Sequence, residues 1–522
     1  MNKSVTSQTR TLRRVSENGD IWYRHALVFA FAAVFLYFLH FRGGVFFWRL
    51  SQQEGGTWFD EAFFTLQGEV IYRDFFEQNT PGIVYLNAFF LWLLGVTTTA
   101  VGVAVVVIGV VCALAVFAVS AVVLSGYWRY VPPAIFVGMT YPSYTVGSYK
   151  WPTIILCLVG ILAVIETRSR LRCAVCGIAH GGAMLCTQDF GVGATLGMAV
   201  ALWLLRGRKD GSDPLIFVIV AAATVCIVLS GIALVAGFGT VAYDVAGFLF
   251  DHYGTSHMFI GGLGGWSSAP LWLTSFGVAG LGLVYVAIGL ARRFWRSASP
   301  SLVIVGLAGT GLLVIGGIAH PIEPSLFGVR AVPLSIIGVY VLQRAAEERR
   351  LYPWLQCALI AFAVIVAAAS LSRPLRTQFV HPLLPEEHRA GKMWIFGPSG
   401  HLDELTWLEA NTVEDQPVFL FPDKGGFYFL SRTRSATSYP KLFDMGFSSN
   451  PQVAEAIRQL ARKCPAVGIW HRNRLLSVGA NRPDTNTLKP LEEALMRDYD
   501  VVAEFANGAA GLRRKPSSGC GP

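Results

Sequence analysis

Residues 96–124 read VTTTAVGVAVVVIGVVCALAVFAVSAVVL and contain no charged side chain. A helix of about 20 apolar residues crosses the roughly 30 Å hydrocarbon core of a bilayer, so this stretch predicts a transmembrane helix. A second uncharged stretch occupies residues 215–236. Repeated apolar blocks of this length indicate an integral membrane protein with several spans.

The composition of the whole chain favours the same class. Hydrophobic residues make up 53% of the 522 residues and charged residues only 14%, which is below the charged share of soluble proteins. The formal net charge is +9, but the Lys and Arg side chains occur in short runs between apolar blocks, as the positive-inside rule describes. We therefore expect a lipid bilayer, and not nucleic acid, as the partner of these charges.

We predict an α-helical polytopic membrane protein with about 11 transmembrane helices. The predicted spans are 25–41, 97–124, 131–147, 152–166, 173–186, 190–205, 214–237, 271–291, 301–319, 326–343 and 352–370. Most Lys and Arg residues fall on the inner side if residues 1–24 form a basic cytoplasmic N-terminus. No small-residue cleavage site follows the first span, so we expect it to be retained.

One apolar stretch, residues 83–94, is too short to span the membrane. Counting it as a span would reverse every later loop and place the basic runs outside. We expect this stretch to lie in the outer interface, anchored by Tyr85 and Trp92.

The remaining chain divides into three predicted parts. Residues 25–372 form the transmembrane domain with its first outer loop at 42–96, residues 373–515 form an outward-facing α/β domain, and residues 516–522 form a disordered tail. Within the α/β domain the pattern predicts strands at 417–422, 427–430, 466–470 and 501–505. It predicts helices at 403–410, 452–462 and 491–497.

The first outer loop holds most of the chemistry-bearing residues. Its carboxylates alternate with aromatic and apolar residues and comprise Glu54, Asp60, Glu61, Glu69, Asp74 and Glu77. The alternation favours a loop folded onto the membrane surface with some carboxylates facing a cavity. An ordinary solvated loop with incidental acids explains the same pattern.

Several spaced features of this loop resemble the first-loop signature of the GT-C glycosyltransferases. They are Asp60-Glu61-Ala62, Gly68, Tyr72-Arg73-Asp74-Phe75-Phe76, Pro81-Gly82, Tyr85-Leu86 and Leu94-Gly95. Within that superfamily, the loop resembles the branch that contains bacterial relatives of protein O-mannosyltransferases and of lipid A aminoarabinose transferases. That branch commonly has Lys-Pro-Pro-Gly where this chain has Asn79-Thr80-Pro81-Gly82. Later, Thr187-Gln188-Asp189-Phe190-Gly191 resembles a conserved outer span end of the family.

The resemblance implies an inverting sugar transfer from a polyprenyl-phosphate sugar to an acceptor outside the cytoplasm. Such a reaction needs a carboxylate that takes the proton of the acceptor hydroxyl. By its place in the motif, Asp60 is implied as this base. Glu61 and Asp74 are implied as supporting residues, with local ion pairing to Arg73 as the alternative for both; Tyr72, Gln188 and Asp189 are further site candidates.

The departing lipid phosphate needs cations. Arg330 is the first candidate because it lies about one turn into an apolar span, where an unpaired cation is costly. An ion pair with Glu323 or Asp189 is the alternative. Lys150 and His320, at outer span ends, and Arg73 are further candidates, as phosphate contacts or as interface anchors and local pairs.

No cofactor is expected, and the sequence does not decide whether the protein depends on a divalent metal. Residues 238–270 contain two Asp and two His, and Cys173 and Cys176 form a C-x-x-C, but neither spacing fits a standard metal site. Packing of two small residues explains the cysteines, and residues 261–265 suggest a flexible acceptor-gating segment.

We therefore predict a glycosyltransferase, hexosyl- or pentosyl-specific, in the bacterial inner membrane, with its active site and α/β domain extracytoplasmic. The acceptor is a glycan, a lipid or a protein. The alternative is a transporter or lipid flippase, although repeated halves and mid-span polar residues, which are typical of transporters, are not evident. A non-catalytic scaffold would leave the acidic loop unexplained.

Overall fold

The computed structural model describes residues 23–39, 53–141, 148, 150–164, 169–204, 213–248, 307, 332–347, 383–396, 400–421, 425–442, 448–471 and 488–519. The predicted spans 271–291 and 352–370, and all but Leu307 of 301–319, lie outside these residues. The following descriptions concern the described part of the chain.

The N-terminal two thirds of the described chain are helical. The helices are α1 Tyr23–Leu39, α2 Gln53–Leu66, α3 Gly82–Leu94, α4 Thr98–Val123, α5 Val131–Ile135, α6 Lys150–Val164, α7 Arg170–Cys186, α8 Gln188–Leu204, α9 Asp213–Ala236, α10 Phe238–Ala242 and α11 Val332–Glu347. A 3-10 turn, Gly126–Tyr130, precedes α5, and a π-helical turn, Phe136–Thr140, follows it. A second π turn, Tyr243–Gly247, follows α10.

Two of these helices are long and apolar enough to cross a membrane, namely Thr98–Val123 and Pro214–Ala236. The shorter apolar helices include α1, α3 and α6. At its start α4 is capped by Thr97, whose side chain accepts a hydrogen bond from the Ala100 N–H. The predicted helical character of these stretches is confirmed, whereas the number of spans stays a prediction.

Small residues allow the helices around α7 to approach closely. A side chain at Gly177 would meet the Phe217 carbonyl oxygen of α9 at 2.7 Å, and one at Gly181 would meet Thr224 at 2.6 Å. On another face of the bundle, Gly160 of α6 lies against the His180 ring. Glycine at these positions lets helix backbones pack at short distance, as is common in membrane bundles.

The predicted short helix at 83–94 is confirmed as α3. One face, including Ile83, Val84 and Leu91, is buried, whereas Tyr85 and Trp92 are exposed. An apolar exposed face is what an interfacial helix presents to lipid, and its position in the membrane stays a prediction.

The C-terminal region is an α/β structure. Strands β1 Leu383–His388 and β2 Gly391–Phe396 form an antiparallel hairpin. A five-stranded sheet has the order β4-β3-β5-β7-β6. Its strands are β3 Pro417–Phe421, β4 Arg434–Ser435, β5 Val467–His471, β6 Tyr499–Glu504 and β7 Ala509–Arg514. Strands β4, β3 and β5 are parallel, and β7 is antiparallel to both β5 and β6.

The helices of this region are α12 Gly400–Asn411, α13 Phe427–Ser431, α14 Asn450–Lys463 and α15 Lys489–Asp498. The three predicted helices are therefore confirmed as α12, α14 and α15, and three of the four predicted strands as β3, β5 and β6. The prediction of a strand at 427–430 was wrong, because these residues form α13. The hairpin β1–β2 and the strands β4 and β7 were not predicted.

The structure describes four residues of the predicted tail, and the disorder of the tail stays a prediction. Residues 516–519 form a turn in which the Ser518 N–H donates to the Lys515 carbonyl and the Ser518 hydroxyl donates to the Asp498 carbonyl. The turn therefore packs onto the end of α15.

The C-terminal region lies directly against the start of α4 and against the described part of the predicted first outer loop, residues 53–96, which we call the first outer segment. The Thr98 N–H donates to the Ala390 carbonyl, and the Thr98 hydroxyl donates to the Lys392 carbonyl, both at 2.9 Å. The rings of Phe64 in α2 and Tyr428 in α13 lie 5.4 Å apart. One buried apolar cluster spans both parts, so they lie on the same side of the helical bundle.

Candidate functional site

Asp60 connects α2 to the C-terminal region. Its side chain is 3% exposed. One carboxylate oxygen accepts a hydrogen bond from the Gly426 N–H and the other from the Phe429 N–H, each at 2.7 Å. Gly426 has φ +87°, a left-handed conformation that glycine adopts without a steric penalty. Asp60 thus binds the backbone at the start of α13, which explains why the apolar run 427–430 begins a helix.

The neighbouring residue, Glu61, belongs to a buried ion cluster. The Lys441 ammonium lies 2.8 Å from a Glu61 carboxylate oxygen and also contacts a Glu77 carboxylate oxygen. Both glutamates are fully buried, and Lys441 is 8% exposed. The ammonium also lies 4.8 Å from the centre of a Trp58 ring. Because buried charges are stable only when paired, the three side chains form one unit.

The two glutamates of the cluster have pKa values shifted in opposite directions. Burial and the neighbouring negative charge of Glu77 raise the pKa of Glu61 well above its usual range. Burial alone would raise the pKa of Glu77, but the Lys441 charge and hydrogen bonds outweigh it, and the pKa of Glu77 is lowered. For Lys441, burial opposes the charged form, and the two carboxylates outweigh burial and raise the pKa. These shifts favour the ionised forms of Lys441 and Glu77 and the protonated form of Glu61.

Tyr72 lies beside this cluster in a strained backbone conformation, with φ +71°. Its hydroxyl donates to the Asn79 carbonyl at 2.7 Å. The side chain is buried, and burial together with the charges of Glu77 and Asp244 raises the pKa of Tyr72. The Asn79 N–H and side-chain amide both donate to Glu77 at 2.7 Å. Tyr72 and Glu77 therefore fix the conformation of the chain before Pro81.

The segment Asn79–Gly82 forms a corner that docks on the junction of α7 and α8. The Thr80 hydroxyl donates to the Met184 carbonyl at 2.9 Å, and the Thr80 N–H donates to the Gln188 side chain at 3.0 Å. A side chain at Gly82 would meet the Leu185 carbonyl oxygen at 2.6 Å. The structure thus brings the candidate Gln188 to the first outer segment; the candidate Asp189 follows it in α8.

Arg73 and Asp74 lie apart from the buried cluster. The guanidinium binds the carboxylate through two hydrogen bonds of 3.0 and 2.7 Å. The side chains are 45% and 33% exposed. Hydrogen bonding to Arg73 lowers the pKa of Asp74. The local ion pair, which was the alternative for these residues, is therefore present in the structure.

The phosphate-binding candidates are only partly described. Lys150 is buried at the first residue of α6. Arg330, His320 and Glu323 lie outside the described residues. Asp244, which follows α10, is 5% exposed, and burial and the Glu77 charge raise its pKa to about 7.

No group of three or more His, Cys, Asp or Glu side chains within the described ranges is placed to hold a metal ion. Cys173 and Cys176 are buried in α7. The Cys176 sulfur lies 3.7 Å from Nδ1 of His180, so these side chains pack within the bundle.

Sequence reasoning missed two members of the buried cluster. Glu77 was noted among the loop carboxylates but not selected, and Lys441 was not considered. Lys441 contacts Glu61 across 380 positions of sequence, and nothing in the residues around it signals that contact. Near Glu77, the turn residues Pro81 and Gly82 are the local pattern that predicts a fixed chain conformation.

No family model matches the chain, and no curated protein sequence matches it. Solved structures with a similar fold include ArnT from Cupriavidus metallidurans in its apo state, with a TM-score of 0.59 and 11% identity. They include the same protein bound to undecaprenyl phosphate, with a TM-score of 0.57 and 10% identity. Both alignments cover 95% of this chain and 99% of ArnT.

The arabinofuranosyltransferase AftD from Mycobacteria is also similar, with a TM-score of 0.50 and 13% identity over 95% of this chain and 42% of AftD. ArnT and AftD are GT-C glycosyltransferases. The resemblance noted in the first outer loop therefore extends to the fold, and this chain has the GT-C fold of integral membrane proteins.

Proposed function

We propose that this protein is an inverting glycosyltransferase that moves one sugar from a polyprenyl-phosphate donor to an acceptor on the extracytoplasmic side of the membrane. The observation that carries the proposal is the buried acidic centre of the first outer segment, with Asp60 and Glu61 on α2, within a GT-C fold. The similarity to ArnT bound to undecaprenyl phosphate supports the lipid part of the donor.

In the proposed reaction the acceptor hydroxyl oxygen attacks the anomeric carbon, and the bond from that carbon to the phosphate oxygen breaks. Asp60 takes the hydroxyl proton, and polyprenyl phosphate leaves with the electron pair of the broken bond.

The burial of Asp60 has a consequence for this mechanism. An acceptor reaches the carboxylate only if the contact between α2 and α13 opens, since the side chain is 3% exposed. Catalytic hydrogen bonds are commonly rearranged between the free enzyme and the substrate complex. The proposal therefore requires α13 to move away from Asp60 when substrate binds, which breaks the two hydrogen bonds to that carboxylate.

The departing phosphate needs positive charge at the outer membrane surface. We assign this role to Arg330, with Lys150 and His320 as additional contacts. Gln188 would orient the corner Asn79–Gly82 beside the donor, because it already binds Thr80.

The proposed arrangement in the membrane has about 11 spans, a cytoplasmic segment 1–24, and the C-terminal region 373–515 outside. It would lie in a bacterial inner membrane. The contact of the C-terminal region with the first outer segment supports one side for both. Reporter fusions after Arg208 and after Arg376 should report opposite sides of the membrane, and a cytoplasmic signal at Arg376 would reject this arrangement.

The function is tested by incubating purified protein in detergent with radiolabelled polyprenyl-phosphate pentoses and hexoses and with candidate acceptors. We expect release of polyprenyl phosphate that depends on protein and acceptor. The Arg458→Ala variant, altered at the exposed ion pair with Glu455 on α14, is the matched control and should remain active. Transport of intact donor across proteoliposomes with no cleavage would instead identify a lipid flippase.

A further inference from the structure

Lys441 joins two separate parts of the first outer segment. Its ammonium contacts Glu61 on α2, one residue from Asp60, and Glu77, two residues before Asn79. Lys441 itself belongs to the C-terminal region, which follows the last predicted span. One buried cation therefore links α2, the corner Asn79–Gly82 and the C-terminal region.

Stability alone is a weak reason for such a cluster. Well-packed apolar residues of similar volume often stabilise a protein as much as a buried ion pair does, or more, whereas removal of one charged partner is costly. The charges do, however, fix the relative positions of the groups that carry them. Here those groups flank the proposed base and the corner that binds Gln188.

We propose that Lys441 is a positioning residue for sugar transfer: by holding Glu61 and Glu77 together, it keeps Asp60 and the corner Asn79–Gly82 at the spacing that the reaction requires. This inference rests on the proposed function. It also gives the C-terminal region a part in the active site, beyond its own fold.

The groups that face the cluster agree with a fixed charge distribution. Tyr72 lies against Glu77, and Asp244 approaches Glu77 from the segment after α10. Burial and the charges of Glu455 and Asp244 raise the pKa of the half-buried Tyr439 to about 12. Among the described groups that face this cluster, Lys441 is the cation that lowers the pKa of Glu77.

The test compares Lys441→Met, Lys441→Arg and the double variant Lys441→Met with Glu77→Gln. Lys489→Met is the matched control, because Lys489 is 71% exposed on α15 and lies 4.0 Å from Glu493. Melting temperature, kcat and donor KM are measured for each variant by release of polyprenyl phosphate.

We expect Lys441→Met to lower both the melting temperature and kcat, the latter on the order of 10²-fold, since small displacements of reacting groups have effects of that size. Lys441→Arg should recover part of kcat. The double variant removes the unpaired carboxylate and should recover the melting temperature, but not kcat. Recovery of kcat together with stability in the double variant would show a purely structural role and overturn the proposal.

An infrared titration of the buried carboxyl groups separates this inference from the proposed function. In the wild type at neutral pH, we expect a protonated-carboxyl signal from Asp244 and a further contribution that Glu61→Gln removes. In Lys441→Met we expect a second band, absent from the wild type, which the added Glu77→Gln change removes. If the wild type releases no polyprenyl phosphate, the proposed function fails, and with it the catalytic part of this inference. The second band then tests separately whether Lys441 lowers the pKa of Glu77. Its absence from Lys441→Met would overturn that part of the inference as well.

Discussion

Two pairs of neighbouring charged residues in the first outer segment, Asp60–Glu61 and Arg73–Asp74, have opposite environments. Asp60 and Glu61 are almost completely buried, whereas Arg73 and Asp74 form an ion pair with both side chains substantially exposed. The C-terminal region makes the difference, because Gly426, Phe429 and Lys441 all bind the first pair. Similar residues in one loop therefore acquire different chemistry from their distant contacts.

The largest effect that this comparison predicts concerns Asp60→Asn set beside Asp74→Asn. The amide in Asp60→Asn would keep the size of the side chain but could not take a proton, so we expect turnover to fall on the order of 10²–10⁴-fold. Asp74→Asn should leave turnover within a few-fold of the wild type. The measurement is donor-dependent release of polyprenyl phosphate by folded protein. Equal losses in both variants would remove the distinction between the two pairs.

A second prediction concerns the corner Asn79–Gly82. In Gly82→Ala the added methyl group would lie 2.6 Å from the Leu185 carbonyl oxygen, so the corner must shift away from α7. We expect about 1–3 kcal/mol of lost stability, as for other overpacked sites. The melting temperature checks this. Thr99→Ala, at an exposed position in the first turn of α4, is the control variant and should keep the melting temperature of the wild type. An unchanged melting temperature in Gly82→Ala would show that the corner is not fixed against α7.

A third prediction concerns pH. The pKa of Asp244 is raised from its usual 3.8 to about 7, so the folded state favours the protonated carboxyl. This contribution to stability is full below the unfolded pKa and is lost as pH rises towards about 7. In Asp244→Asn the decrease of melting temperature across this window should be smaller than in the wild type. An identical pH profile in the variant would contradict the assigned environment.

The smallest effect is expected for Arg73→Ala. Exposed ion pairs contribute little to stability, and Arg73 and Asp74 are both accessible to water. Chemical denaturation or melting should therefore show little change, and the salt dependence of the small effect should follow that of a surface pair. A large loss of donor affinity in this variant would restore Arg73 as a phosphate contact.

The sequence could predict what local patterns determine. Uniform apolar stretches such as Thr98–Val123 gave helices. In the C-terminal region, α14 shows a clear amphipathic pattern and begins with a capping box formed by Ser449 and Gln452. The run 427–430 was assigned wrongly because four apolar residues carry no period that separates helix from strand.

The candidate site could be predicted only in part, because its contacts join residues that are distant in sequence. Asp60 and Glu61 were identified because they match a family motif. Their actual partners, Gly426, Phe429 and Lys441, lie more than 360 positions away in sequence. Contacts over such distances depend on tertiary packing, and no local pattern reports them.

The most direct test of the central claim is a structure of the protein bound to a polyprenyl-phosphate sugar. We expect the sugar to lie beside α2, with the anomeric carbon facing Asp60, and the contacts of Asp60 with Gly426 and Phe429 to have opened. We also expect Lys441 still to bridge Glu61 and Glu77. A donor head group seated against Arg73 and Asp74, with Asp60 still sealed by α13, would contradict it.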